Sequence, residues 1–96
     1  MTKTSQKTID EILKEYSLHV EYWDADFGEG HLMCDVREAL EERIQAMSRQ
    51  QMLALNGIDQ RAANLLVEYR GPATFDVKML KAVVDLAHDS HVGHAA

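Results

Sequence analysis

The sequence predicts an all-α fold, a small bundle of four to five helices, and three observations carry that prediction. Capping-box patterns recur along the chain, apolar residues recur at three- and four-residue spacing, and the one Pro and five Gly stand between the periodic stretches. A chain of 96 residues suits one domain with one modest core. We therefore expect a single helical domain over residues 1–96, with a flexible tail over about residues 89–96.

Helix starts are predicted at Thr8, Asp35, Ser48 and Thr74. After each of the first three caps, Glu or Gln follows at the third position, so that the two residues can bond each other's backbone N–H groups. Thr74 follows Gly71-Pro72 and offers a hydroxyl cap for a last helix. Each start has its own apolar stripe. The stripes comprise Ile9, Ile12, Leu13 and Tyr16; Met33, Val36, Leu40, Ile44 and Met47; Ala62, Leu65, Leu66 and Tyr69; and Val77, Leu80, Val84 and Ala87.

The segment between the first and second helices is open to two interpretations. Val20 and Tyr22 alternate with polar residues, which favours a short β-hairpin built from residues 18–23 and 31–34. The alternative is an irregular loop after a longer first helix. We therefore predict a helical bundle to which this short hairpin is an optional addition.

The chain is acidic, with 10 Lys and Arg against 16 Asp and Glu and a formal net charge of −6. Most of the acids precede residue 48, and an acidic body disfavours nucleic acid and anionic membranes. Arg37, Glu38, Glu41 and Glu42 are assigned to the solvated side of the second helix, opposite its apolar stripe. The N-terminus lacks the apolar region of a signal peptide, and no apolar run is long enough to span a bilayer. We expect a cytoplasmic protein with no membrane partner.

The leading functional prediction rests on an acidic, aromatic segment after the first helix. Aromatic residues are enriched at the energetic centres of protein interfaces, and a rim of acids suits a basic partner surface. We therefore predict a non-enzymatic interaction or regulatory protein that binds a protein partner. The predicted partner-binding residues are Tyr22, Trp23, Asp24, Asp26 and Phe27. The alternative is that Trp23 and Phe27 only cover the core.

A second copy of the chain is a further candidate partner. The stripe from Met33 to Met47 has heptad-like spacing, which pairs helices across a homodimer. Packing inside the chain's own core is the alternative use of this stripe, and the more usual one.

Residues 48–71 resemble the helix-hairpin-helix family of motifs. Leu55 stands at the end of a first short helix, Gly57 and Ile58 stand at the first two hairpin positions, and Ala63 stands at the small inward position of the second helix. The resemblance covers a minor part of the chain. It implies binding of DNA backbones without sequence readout.

The resemblance makes Gly57, Ile58, Asp59 and Arg61 the candidate phosphate-binding residues. Glycine permits the turn, and the N–H groups at the turn and at the next helix start would point at an anion. Asp59 departs from the family pattern, because it replaces the second glycine with a carboxylate, whereas residues 48–81 carry a net charge of +2. DNA-backbone binding is therefore the alternative function, and a hairpin that only packs is the remaining interpretation.

The C-terminal residues His88 and His91 are the candidates for a metal site. With Asp85 they lie at i, i+3 and i+6, which approximates one helix face and suits Zn or Ni; solvated histidines on a frayed tail are the alternative. Cys34 is assigned to the core rather than to catalysis, because His31 is its only nearby base. No catalytic residue and no cofactor is predicted.

Overall fold

The computed structural model describes residues 7–25 and 30–95, and these residues form four α-helices. α1 comprises Ile9–Glu21, α2 comprises Gly30–Glu42, α3 comprises Arg49–Glu68 and α4 comprises Phe75–Ala95. A 3₁₀ turn, Ile44–Ala46, joins α2 to α3. The predicted all-α bundle is confirmed, at the lower of the two predicted helix counts.

The predicted caps of α1, α3 and α4 are present. The Thr8 side chain accepts from the backbone N–H of Glu11, the N–H of Thr8 donates to the Glu11 carboxylate, and a matching reciprocal pair forms at Ser48. The bond from the Thr8 N–H lowers the pKa of Glu11, because it stabilises the carboxylate. At α4, Thr74 Oγ1 accepts from the N–H of Val77 at 3.3 Å. These starts follow from local side-chain chemistry.

α2 begins at Gly30, ahead of the predicted cap Asp35, and a residue of another helix binds its first N–H group. The backbone N–H of Gly30 donates to Asp76 Oδ1 of α4 at 2.8 Å, and Asp76 is buried. A Cβ on Gly30 would lie 2.8 Å from Met79 Cβ and 3.0 Å from the Asp76 carbonyl oxygen, so α2 and α4 meet as closely as a glycine allows. Asp35 is an exposed residue inside α2.

The β-hairpin interpretation is wrong, since no strand occurs in residues 7–25 or 30–95. Residues 18–21 extend α1, and residues 31–34 lie in the first turns of α2. Val20 continues the buried face of Tyr16 at helical spacing, and Met33 is buried in the same core. Burial of one face at the helical period of 3.6 residues therefore favours a helix here, and it outweighs the short alternation of apolar and polar residues around Val20.

α3 runs without a break through Gly57, so the predicted hairpin turn is wrong. Four inward side chains hold it as one element of 20 residues: Leu55, Ile58, Asp59 and Ala62. Gly57 lies on the outer side, where an added Cβ would meet nothing within 4 Å. A glycine inside a helix costs about 1 kcal/mol relative to alanine. The packing of the inward side chains of α3 against the core offsets this cost.

The helices form two antiparallel pairs that lie side by side. α1 packs on α2 and α3, and α4 packs on the same two helices. Asp10 of α1 accepts from Gln51 of α3 near the start of both helices, and Trp23 meets Tyr69 beyond their ends, so α1 and α3 are parallel. α2 and α4, joined at their starts by the cap of Gly30, are also parallel.

The core fills the space between the four helices. Its buried apolar residues are Ile12, Leu13, Tyr16, Val20, Met33, Val36, Leu40, Ile44, Leu55, Ile58, Ala62, Leu80 and Val83. The part of the second stripe from Met33 to Ile44 belongs entirely to this set. The homodimer contact expected of that stripe is therefore wrong, because the chain's own helices occupy it.

α4 is helical through Ala95, over almost all of the tail that the sequence predicts to be flexible. Its last buried side chain among the described residues is Ser90. No helix in the part of the chain that the structure describes is long and apolar enough to cross a membrane.

Replacing Gly30 with alanine tests the close approach of α2 and α4. The new Cβ would overlap Met79 and the Asp76 carbonyl, and overpacking of this kind costs about 1–3 kcal/mol. We expect the free energy of unfolding, measured by urea denaturation, to fall by that amount. Gly57→Ala is the matched control, because open space at its Cβ predicts a gain of about 1 kcal/mol. Equal effects of the two substitutions would contradict the packing argument.

Candidate functional site

Three buried polar side chains, from α1, α2 and α3, meet inside the bundle, and a partly exposed histidine of α4 lies at their edge. Arg37 of α2 and Asp59 of α3 form a two-pronged ion pair, with Nε 2.9 Å from Oδ1 and Nη2 3.0 Å from Oδ2. Tyr16 of α1 donates its hydroxyl to Asp59 Oδ1 at 2.5 Å. His91 of α4 places Nε2 3.1 Å from Asp59 Oδ2. We call these four residues the central cluster.

Burial makes the members of the central cluster depend on one another. Tyr16 and Arg37 are 0% exposed, and Asp59 is 3% exposed. A charge at such a depth is tolerated only when an opposite charge and further hydrogen bonds come with it. Glu41, one turn after Arg37 on α2, accepts from Arg37 Nη1 at 3.0 Å and adds a second acid at the edge of the cluster.

The contacts of the central cluster shift two pKa values. Burial raises the pKa of Tyr16 well above its usual range, and the negative charge and hydrogen bond of Asp59 act in the same direction. For Arg37, burial alone acts to lower the pKa, but the hydrogen bonds and charge of Asp59 outweigh it and the pKa is raised. Both residues therefore keep their protons at ordinary pH and act as fixed donors to Asp59.

Sequence reasoning places Arg37 on a solvated face and Asp59 in a hairpin, and both assignments are wrong. Arg37 stands four residues after Met33, inside the apolar stripe of α2, and Asp59 stands four residues after Leu55 in α3. One charge of each sign, inserted into two apolar stripes, is the sequence signal that identifies such a pair. Neither charge, taken alone, predicts a buried residue, because charged side chains are almost never buried unless they are paired.

A cavity of about 170 Å³ lies beside the central cluster, between α3 and α4. Its lining residues are Asp59, Gln60, Ala63, Val84, Ala87, His88 and His91. His91 Nε2 is buried and has no hydrogen-bond geometry to a described residue, although Asp59 Oδ2 lies at ion-pair distance.

The residues predicted to bind phosphate do not form an anion site. Ile58 and Asp59 are buried, while Gly57 and Arg61 are exposed. Their backbone N–H groups lie in the interior of α3, where they donate to carbonyls one turn earlier. Arg61 instead donates to the hydroxyl of Ser17 on α1. The geometry expected from the helix-hairpin-helix resemblance is wrong, because no turn frees these donors.

The aromatic residues after α1 divide into an exposed ring and a packed one. Tyr22 is the C-cap of α1 and is 72% exposed. Trp23 is half-buried and meets Tyr69 edge-on, with ring centroids 6.0 Å apart and 75° between the planes. Trp23 thus covers the end of the core, as the alternative interpretation expects. Asp26 and Phe27, also predicted to bind the partner, lie outside the described residues.

The exposed side of α1 carries an apolar pair in an acidic surround. Leu18, one turn before Tyr22, is 43% exposed. The exposed charged residues around the pair are Glu11, Lys14, Glu21 and Asp24. We call Leu18, Tyr22 and these charged residues the α1 outer face. Sequence reasoning misses Leu18, because it assigns the residue to a strand rather than to the helix that aligns it with Tyr22.

His88 and His91 do not form a metal site with Asp85. Asp85 Oδ2 pairs with Lys81 at 3.1 Å on the exposed side of α4, whereas His91 lies against Asp59. Within the residues described, no group of three or more His, Cys, Asp or Glu side chains is placed to hold a metal ion.

Cys34 is a half-buried residue of α2 that packs against the core, as predicted. Its thiol donates to Glu38 Oε1 at 3.7 Å. Burial raises the pKa of the Cys34 thiol, and the negative charge and hydrogen bond of Glu38 act in the same direction. The reactive thiolate is therefore suppressed at neutral pH, since nucleophilic cysteines have a lowered pKa.

Asp59→Asn tests whether the central cluster holds the bundle together. The amide cannot balance the charge of Arg37, and removing one partner of a buried ion pair costs about 3–5 kcal/mol. We expect the free energy of unfolding to fall by that amount in urea denaturation. The double variant Arg37→Met/Asp59→Leu should recover most of the loss, because it leaves no buried charge unpaired. An Asp59→Asn protein within about 1 kcal/mol of the wild type would contradict the assignment.

The raised pKa of Cys34 predicts slow thiol labelling in the folded protein. At pH 8 we expect a disulfide reagent to react with Cys34 more slowly in the folded chain than in urea, because the raised pKa lowers the fraction of reactive thiolate. Glu38→Gln should raise the folded rate by removing the adjacent charge, and Glu42→Gln one turn later serves as the control. Equal rates in the folded and unfolded chains would refute this assignment.

Comparison with known proteins yields no relative for this chain. No protein family, no curated protein and no solved structure matches it. The function has to be inferred from the side chains that the fold exposes.

Proposed function

We propose that this protein is a small, non-enzymatic interaction or regulatory protein whose α1 outer face binds a basic surface on a protein partner. The observation that carries the proposal is the exposure of Leu18 and Tyr22, at 43% and 72%, one helical turn apart among acids. Exposed apolar groups rimmed by charge are typical of partner sites, and tyrosine is frequent among the residues that dominate binding energy.

The helix behind this face supports the proposal because it is already ordered. The capping box at Thr8 secures the start of α1, and Ile12 and Tyr16 anchor its opposite side in the core. Trp23 packs on Tyr69 directly after Tyr22, so the end of the helix is also held. A preformed face loses little conformational freedom on binding, which favours affinity.

Charge determines the kind of partner. Glu11, Glu21 and Asp24 surround the apolar pair against the one base Lys14 among the exposed charged residues of the face. The whole chain carries a formal charge of −6. A partner with a basic surface is therefore attracted at long range and matched at contact, and salt should weaken the complex.

The DNA-backbone alternative has lost the geometry on which it rested. Gly57 makes no turn, and Asp59, the departure from the family pattern, is bound to Arg37. The remaining support for DNA binding is the presence of exposed arginines on α3. Exposed arginines do not distinguish DNA from another acidic partner, and they also occur on surfaces that serve only solubility.

Affinity capture with the 96-residue chain tests the α1 outer face. Immobilised wild type and a Leu18→Ala/Tyr22→Ala variant are incubated with the same cell extract, and retained proteins are identified by mass spectrometry. We expect the wild type to retain basic proteins that elute with salt. The amount that the variant retains should be at least about tenfold lower, because truncating hot-spot residues weakens binding strongly. Both positions are exposed, so the variant should fold.

Leu32→Ala is the matched control, because it shortens a leucine of α2 that is 41% exposed, close to the 43% of Leu18. It should retain the same partners as the wild type. The proposal fails if the wild type retains no protein above background. It also fails if wild type and the α1 variant retain the same set.

A further inference from the structure

The cavity of about 170 Å³ between α3 and α4 is large enough to hold one small molecule. Its walls are the short side chains of Ala63 on α3 and of Val84 and Ala87 on α4, while the exposed residues Gln60 and His88 lie at its mouth. A cavity of about 150 Å³ accommodates one benzene molecule, whereas drug-sized ligands need pockets of about 300–1,000 Å³. The space therefore suits a single ring.

Asp59 and His91 form the polar end of this cavity. Asp59 Oδ1 accepts from Tyr16 and from Arg37 Nε, so both of its lone pairs are in use. Asp59 Oδ2 accepts from Arg37 Nη2 and keeps a second lone pair. His91 Nε2 is a buried atom 3.1 Å from that oxygen, but it has no hydrogen-bond geometry to a described residue. The polar end therefore offers one acceptor and one ring nitrogen to a ligand.

The charges around the polar end favour an uncharged ligand. Asp59 is 3% exposed, and Arg37 already balances its negative charge. An anion would meet the carboxylate, and a cation would meet the guanidinium, whose Nη2 lies 3.0 Å from the same Oδ2. A further charge buried here would lose its hydration without gaining a free partner. A metal ion is also disfavoured, since no three ligand-type side chains are placed to hold one within the part of the chain that the structure describes.

A hydroxyl group has the hydrogen-bonding capacity that the polar end requires, because it donates one bond and accepts another. In the Nε2–H tautomer of His91, a hydroxyl oxygen accepts from Nε2 while its proton goes to Asp59 Oδ2. Water can make the same two bonds, but it leaves the apolar walls of the cavity in contact with water. A ring attached to the hydroxyl removes that contact, which is the direction that the hydrophobic effect favours.

We infer that this cavity binds a small phenol, a single ring that carries one uncharged hydroxyl group. The hydroxyl lies between Asp59 Oδ2 and His91 Nε2, and the ring lies against Ala63, Val84 and Ala87. A ligand that binds the folded chain alone should also stabilise it. Few atoms make contact, so we expect a Kd of about 1 mM. The inference does not depend on the proposed function, because none of these residues belongs to the α1 outer face.

Titration of the isotope-labelled chain with phenol, followed by NMR, tests the inference. Up to about 10 mM phenol, the backbone amide signals of Asp59, Ala63 and His91 should shift and saturate. Toluene has a methyl group in place of the hydroxyl, so it should bind about tenfold more weakly, because it leaves both polar atoms unpaired. The imidazole nitrogen signals of His91 should move with phenol and stay in place with toluene.

Two variants separate the walls of the cavity from its polar end. Ala63→Leu fills the space and should weaken phenol binding at least about tenfold. Ala54→Leu, at an exposed alanine of the same helix outside the cavity, should bind phenol as the wild type does. His91→Ala keeps the space but removes Nε2, so the preference for phenol over toluene should fall to about threefold. His88→Ala removes the exposed histidine at the mouth and should leave that preference unchanged.

Three outcomes would overturn the inference. The first is that phenol gives no saturating shifts, and the second is that it binds Ala63→Leu as tightly as the wild type. The third is that toluene binds the wild type as tightly as phenol does. A parallel titration with N-acetyltyrosine amide separates a free phenol from the tyrosine side chain of a peptide, and tighter binding of the amide would also overturn the inference. Thermal unfolding by circular dichroism confirms that the variants are folded, and His91→Ala keeps the test valid if Ala63→Leu is not.

Discussion

The ion pair between Arg37 and Asp59 is the constraint on which the rest of this bundle depends. A guanidinium keeps its charge at any ordinary pH, so an arginine that is 0% exposed requires a carboxylate in a fixed place. That carboxylate accepts a further hydrogen bond from Tyr16 of α1, and His91 of α4 lies at ion-pair distance from it. Satisfying one buried charge thus sets the relative positions of all four helices, and with them which side of α1 and which side of α3 face outward.

Local chemistry explains which helix starts could be predicted. Thr8, Ser48 and Thr74 cap helices with their own side chains, and their patterns are legible in a few consecutive residues. The start of α2 depends on Asp76, which lies 46 residues away from Gly30 along the chain. No pattern near Asp35 reports such a contact. Local chemistry also misleads at position 57, where glycine suggests a turn but the buried residues on either side hold a continuous helix.

The candidate site could be predicted only in part, because one of its two apolar residues lies in the predicted aromatic segment and the other does not. Tyr22 is the residue of the predicted aromatic segment that the fold leaves exposed, while Trp23 packs on Tyr69. Leu18 joins the site only once α1 is known to extend past it, since helical spacing aligns it with Tyr22. Arg37 and Asp59 lie far apart in the sequence, and each alone indicates the polar edge of a helix, because their contact exists only in the folded structure.

The cap that α4 supplies to α2 has a consequence for how the helices depend on one another. α1 and α3 carry their own capping boxes, so their first turns can form from local contacts alone. The bond from the Gly30 N–H to Asp76 joins residues 46 positions apart, so it forms only when α2 and α4 have come together. This contact therefore couples the first turn of α2 to the docking of α4, whereas the capping boxes of α1 and α3 are complete within their own segments.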